Sequence, residues 1–142
     1  MTRKHKNPDT SIHRNDSFAA VDDYDTRMYI LPYLIDEDSR KEIIAEHEAN
    51  PLYSGTEPGK PAPMYSKSLV RLIDKLRMTP QKNKLTIVES KPWVEYKIGI
   101  LPGNRGGKIV ITDESYATRG KAEHAIFLKR LKVLLDQYGI NL

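Results

Sequence analysis

The stretch TRGKAEHAIFLKRLKVLLDQYG, residues 118–139, decides how the rest of the chain must fold. Thr118 is suited to cap a helix, because its hydroxyl accepts from a free backbone N–H of the first turn. Gly139 is suited to end it, since a helix C-terminus commonly closes through a residue of positive φ. Between them His124, Phe127, Leu128, Leu131, Leu134, Leu135 and Tyr138 recur at the spacing of a single helix face, which reads as core. Ala122, Ala125, Ile126 and Val133 fall on a second, narrower stripe roughly opposite. A helix with two apolar stripes has something to touch on both sides. Ala122, Ile126 and Val133 are therefore candidate contacts with a partner.

Upstream lie three strand-like runs, KLTIVES (84–90), WVEYKIGI (93–100) and KIVIT (108–112). In the second, Val94, Tyr96, Ile98 and Ile100 alternate with Trp93, Glu95, Lys97 and Gly99, the period-2 pattern of a half-buried strand. Ile109 and Ile111 share one face of the third. Short links, the second rich in glycine, favour antiparallel neighbours. A three-stranded sheet needs a second layer, and the long helix supplies it. The expected class is α+β: a three-stranded antiparallel meander packed by a long C-terminal helix, with two short helices before it and a disordered N-terminal tail.

The shorter helices follow from local signals. Asp36 or Asp38 can cap SRKEIIAEHEAN, which must stop by Asn50 because Pro51 disfavours helical geometry before it. Ser66 caps SKSLVRLIDKLRM, whose Leu69, Leu72, Ile73 and Leu76 form one apolar face, and Pro80 closes it. Between them PLYSGTEPGKPAPMY is a Pro- and Gly-rich loop, of a length often tied to function or a partner. Residues 1–17 are nearly devoid of apolar side chains and read as a disordered basic arm. Residues 18–35, FAAVDDYDTRMYILPYLI, are dense in apolar and aromatic residues, and Pro32 argues against one continuous helix. This irregular segment is a second candidate partner contact, through Met28, Tyr29, Leu31 and Tyr33. Residues 36–142 then form one small domain.

Composition removes several function classes. The chain has 142 residues and no cysteine, so disulfides, thiolate metal sites and cysteine nucleophiles are excluded. No apolar leader and no run long enough to span a bilayer is present, so a cytoplasmic chain without membrane contact is expected. Charge is uneven: residues 22–57 carry three Lys or Arg against ten Asp or Glu, and residues 58–142 carry sixteen against seven. That basic excess suits an acidic protein partner or a nucleic acid. GNRGG (103–107) leads into a strand and lacks the G-K-[ST] ending, so it reads as a hairpin turn and not a phosphate loop. His47 among Glu42, Glu46 and Glu48 lacks the second histidine of a zinc helix, and His5 and His13 are isolated. His124 lies within an apolar helix face and reads as a core or interface histidine. No catalytic set, metal site or cofactor site is expected on this chain.

Certain runs carry a resemblance. EHEANP (46–51), RMTP (77–80), TDESYAT (112–118) and above all HAIFLKR (124–130) are similar, in the same order, to the small subunit of N,N-dimethylformamidase, over about residues 42–135. The resemblance implies a hetero-oligomer that hydrolyses N,N-dimethylformamide to dimethylamine and formate. It places a mononuclear iron on the large catalytic subunit, so it transfers no catalytic residue to this chain. The alternative is a small basic nucleic-acid-binding domain of three strands and a helix, resembling in plan the sheet-reading domains of plant ethylene-response factors. There the exposed face would carry Trp93, Glu95, Lys97 and Gly99, and Glu95 with no arginine beside it suits DNA poorly.

Overall fold

The computed structural model describes residues 19–51, 64–78 and 83–142. The expected arm at 1–17, most of the Pro-rich loop and the stop at Pro80 lie outside the described residues. Four helical segments and one sheet follow in order: a leading segment at 19–35, helix α1 (Glu37–Ala49), helix α2 (Lys67–Arg77), strands β1 (Leu85–Lys91), β2 (Glu95–Ile100) and β3 (Val110–Tyr116), and helix α3 (Arg119–Gln137). The class is α+β, with an antiparallel sheet of order β1-β2-β3 and the long C-terminal helix packed on all three strands.

The leading segment departs from expectation at Pro32. Inside a helix, proline removes an N–H and its ring presses on the carbonyl four residues back. Here the chain widens into a π turn over Thr26–Ile30, with the Leu31 N–H donating to Thr26 O, before Leu31–Ile35 resumes the α geometry with Pro32 in its first turn. The helix continues through the proline because the wider turn makes room for it. Thr26 is fully buried there, its hydroxyl donating to the Asp22 carbonyl at 2.8 Å.

The caps are the ones the residues favour. Asp36 accepts from the Ser39 N–H at 3.0 Å, Ser66 from the Leu69 N–H at 3.3 Å, and Thr118 from the Lys121 N–H at 3.2 Å. At the far end of α3, Gly139 has φ +73°, Gly139 N–H reaches Asp136 O, and Ile140 N–H reaches Leu135 O at 2.9 Å. This is a Schellman closure, and Ile140 tucks against the core as such closures favour.

The core defines what α3 does. Phe127, Leu131, Leu134 and Leu135 interdigitate with Leu69, Leu72, Ile73 and Leu76 of α2, Ile43 of α1, and Leu31 and Leu34 of the leading segment. The leucine face therefore packs on helices, not on the sheet. Ala122 and Ile126 are also buried, at 0% and 3% exposure, but stand outside that cluster, as do the buried strand residues Tyr96 and Ile98. The second stripe is thus the side α3 turns to its own sheet. Two polar ties fix that packing: Arg130 donates to the Leu85 carbonyl at 3.0 Å, and Lys129 pairs with Glu114 at 2.6 Å. Both apolar sides of the helix are used within one chain.

The strands also differ in detail from the sequence reading. Trp93 and Val94 belong to the β1–β2 turn, with Trp93 at φ +65° and 87% exposed. Pro92 cannot donate to a ladder, and the pairing of Lys91 with Glu95 leaves three residues to reverse the chain. β3 runs four residues past the expected KIVIT, through Asp113 to Tyr116, as a polar edge strand whose register slips opposite Lys97–Gly99. In the β2–β3 link, Gly103 and Gly106 have φ of +80° and +82°, as a reversal there requires.

Gly99 marks the sheet's outer face. A Cβ there would lie 2.7 Å from Ile109 Cγ2 and 3.0 Å from Val88 Cγ2, so these side chains close over the bare backbone. Gly99→Ala should destabilise by about 1 kcal/mol, at the low end for overpacking because Ile109 is 45% exposed and can turn aside. Urea unfolding of the variant checks this, and an unchanged midpoint would show that the outer face is not packed.

Candidate functional site

The polar centre of the molecule is built by three helices. α1 brings His47 and α3 brings His124, 77 positions apart, so that their Nδ1 atoms lie 2.9 Å from each other. His47 also stacks on Phe127, with ring centroids 3.9 Å apart and planes within 11°. Both histidines are buried, His47 at 3% and His124 at 9% exposure. An Nδ1–Nδ1 hydrogen bond needs one nitrogen to donate and the other to accept, so at least one ring is uncharged. Burial pushes the pKa of His47 down to about 4, with the neighbouring His124 adding to the effect. Burial lowers His124 as well, against the pull of Glu48. The pair is a neutral clasp between α1 and α3.

Around the clasp the same helices hold further polar groups. Glu46 accepts from the backbone N–H and the hydroxyl of Ser66, at 2.7 and 2.8 Å, which ties the end of α1 to the start of α2. The Tyr65 hydroxyl donates to the Asn50 carbonyl. A cleft of about 30 Å³ opens beside His47, lined by Ile73, Leu76 and Arg77 of α2 and by Glu123, Ile126, Phe127 and Arg130 of α3. Burial raises the pKa of Glu123, although Arg130, Arg119 and Arg77 all pull it down. Burial likewise lowers that of Arg130, with Glu123 opposing and Arg77 reinforcing.

The expected contact residues divide into two groups. Met28, Tyr29, Tyr33 and Val133 are exposed, at 52%, 47%, 44% and 60%. Val21, Tyr24 and Ile35 extend the apolar surface of the leading segment. Arg71 lies 5.2 Å from the centre of the Tyr29 ring, a cation–π contact that holds this ring in place while leaving it open. Leu31, Ala122 and Ile126, by contrast, are buried at 5%, 0% and 3% and are corrected as surface candidates. Leu31 is part of the helical core, and Ala122 and Ile126 are buried outside that cluster, on a helix packed on its own sheet, with Ile126 also lining the cleft. Of the second stripe, Val133 is exposed and Ala125 half-buried.

In the sequence Ile43, Ile44 and His47 mark the apolar side of α1, as His124 lies on an apolar face of α3, but nothing there joins the two. The signal was there in that shared setting, two buried-face histidines on different helices. Only the fold brings them into contact. Among the described residues no three His, Asp or Glu side chains converge as a metal ion would require. No helix among the described residues is long and apolar enough to cross a membrane.

The fold is thus an α+β chain with both apolar sides of its long helix covered from within, a buried histidine pair and an exposed aromatic row on its leading segment. A sequence model of the N,N-dimethylformamidase alpha subunit matches residues 26–141, and the chain belongs to that family. It is similar to the N,N-dimethylformamidase alpha subunit of Paracoccus aminophilus, 38% identical over 96 residues, which are 67% of this chain and 62% of that one. The alpha subunit of Alcaligenes sp is 32% identical over 95 residues, 67% of this chain and 66% of the relative. The matches thus span just under two thirds of the length of these curated relatives.

Proposed function

We propose that this chain is the non-catalytic small subunit of an N,N-dimethylformamidase-type amidohydrolase. In this reading it stabilises a large iron-bearing subunit that hydrolyses N,N-dimethylformamide to dimethylamine and formate. Support comes from family membership and from relatives whose names make them alpha subunits of that enzyme. The observation that carries the partner role is the row Met28, Tyr29 and Tyr33, three large side chains about half exposed on a segment whose inner face is locked into the core. Large aromatic groups held rigid at a surface lose little entropy on docking, which makes them effective anchors. The chain's own contribution to the chemistry is then indirect. It presents a preformed surface, and no proton or bond is moved by its side chains.

Co-expression with the large chain tests this. Tyr29→Ala and Tyr33→Ala should leave the isolated fold intact and each weaken association at least about 10-fold, as anchor residues do. Val133→Glu should act in the same direction by placing a charge in an apolar contact. Binding is read by titration calorimetry and activity by formate release. A wild-type chain that stays monomeric beside the large subunit, or variants that assemble as tightly as wild type, would overturn the reading.

A further inference from the structure

We propose that the cleft beside His47 is a binding site for a small monoanion of the carboxylate type, held by Arg77 and Arg130. The inference stands on charge, pairing and size, and it is independent of the partner role.

Two of the cleft's walls carry guanidinium groups, Arg77 from α2 and Arg130 from α3. Among the described residues neither closes an ion pair within 4.0 Å, and the one bond Arg130 makes is to the neutral carbonyl of Leu85. Glu123 is the one carboxylate lining the cleft, set against the two guanidiniums of Arg77 and Arg130. Positive charge is therefore in excess in a partly desolvated recess. Such an excess is costly, and an anion that bridged the two guanidiniums would relieve it. Arginine is the side chain best matched to a carboxylate, since its planar fork engages both oxygens.

The dimensions select the ligand. A cavity needs roughly 10–15 Å³ by this measure to admit one water, so about 30 Å³ accommodates about two or three heavy atoms. That is the size of a carboxylate head, not of a nucleotide or an aromatic acid. Ile73, Leu76, Ile126 and Phe127 furnish an apolar wall against which the non-polar end of such an ion would rest. With Glu123 beside the two guanidiniums the lining carries one net positive charge, which matches a monocarboxylate better than the dianionic form of phosphate.

The test is thermal unfolding of the full chain in sodium formate, the smallest carboxylate, against sodium chloride at matched ionic strength. Benzoate and phosphate serve as size and charge controls. At about 100 mM, formate should raise Tm by about 4 °C over chloride if the site binds in the low-millimolar range, whereas benzoate and phosphate should not. Arg77→Gln, at an exposed position that tolerates change, should abolish the difference, and Arg77→Lys should retain part of it. Equal shifts in formate and chloride would overturn the proposal. So would a formate shift that survives in Arg77→Gln, because that pattern is the general effect of an excluded salt.

Discussion

Leu131→Ala is expected to lower the free energy of unfolding by about 2–5 kcal/mol. Leu131 is 0% exposed and sits at the middle of the α3 leucine face, among Leu72, Leu76, Leu134 and Leu135 in the helical core. Removing its branch strips transfer energy and leaves a hole that helices clamped at both ends cannot close. α3 is held on its other side by the sheet, through Arg130 to Leu85 and Lys129 to Glu114, so it cannot slide inward to fill the space. The cost should therefore fall in the upper half of the range. Val133→Ala, two residues away and exposed on the opposite side of the helix, should change stability by less than about 0.5 kcal/mol and serves as the matched control. Urea unfolding followed by far-UV circular dichroism measures both. Near-equal midpoints for wild type and the Leu131 variant would mean that the leucine face is not the packed one.

The contrast between those two positions shows what the sequence could and could not convey. Periodicity marks the leucine face of α3 and the apolar face of α2 plainly, because burial against a neighbour demands a continuous stripe whatever that neighbour is. Caps at Asp36, Ser66 and Thr118 and the glycine at 139 were legible for a similar reason, since each satisfies backbone groups within a few residues of itself. The identity of the neighbour is a different matter. Periodicity reports that Ala122 and Ile126 need cover, not whether the cover comes from this chain or another, and the sheet turns out to supply it. The polar end of β3 was misread because Asp113, Glu114 and Ser115 are poor strand formers, placed there by pairing with β2. Trp93 fits the period-2 alternation of a strand, yet a three-residue turn sets its backbone at positive φ. The clasp of His47 and His124 spans 77 positions, so nothing local to either histidine pairs it with the other.

That clasp makes the protein sensitive to acid, and the sign follows from the direction of the shift. His47 is lowered from an ordinary 6.5 to about 4, so the folded state resists a proton that the unfolded chain accepts readily. Its contribution is fully present above about pH 6.5 and is lost as pH falls from there to about 4. At about 1.4 kcal/mol per pH unit, the loss amounts to about 3 kcal/mol, and His124, shifted in the same direction, adds to it. The surroundings do little to offset this. Arg77 and Arg130 line the cleft at His47 and oppose a further positive charge, and Tyr65, whose ring faces His47, stays neutral because burial raises its pKa. Glu48 favours protonation of His124 but does not reverse the effect of burial. Glu123 works the other way, since a raised carboxyl pKa favours the fold on acidification, but only as pH approaches the carboxylate range. Stability measured by urea unfolding at intervals from pH 7.5 to 4.5 should fall steadily through this window. His47→Gln keeps a hydrogen-bonding group toward His124 and removes the titration, so its profile should be much flatter, with lower stability at pH 7.5 and a smaller deficit at pH 5. Parallel profiles for wild type and His47→Gln would show that the clasp is not held neutral by burial, and that the acid sensitivity belongs to other groups.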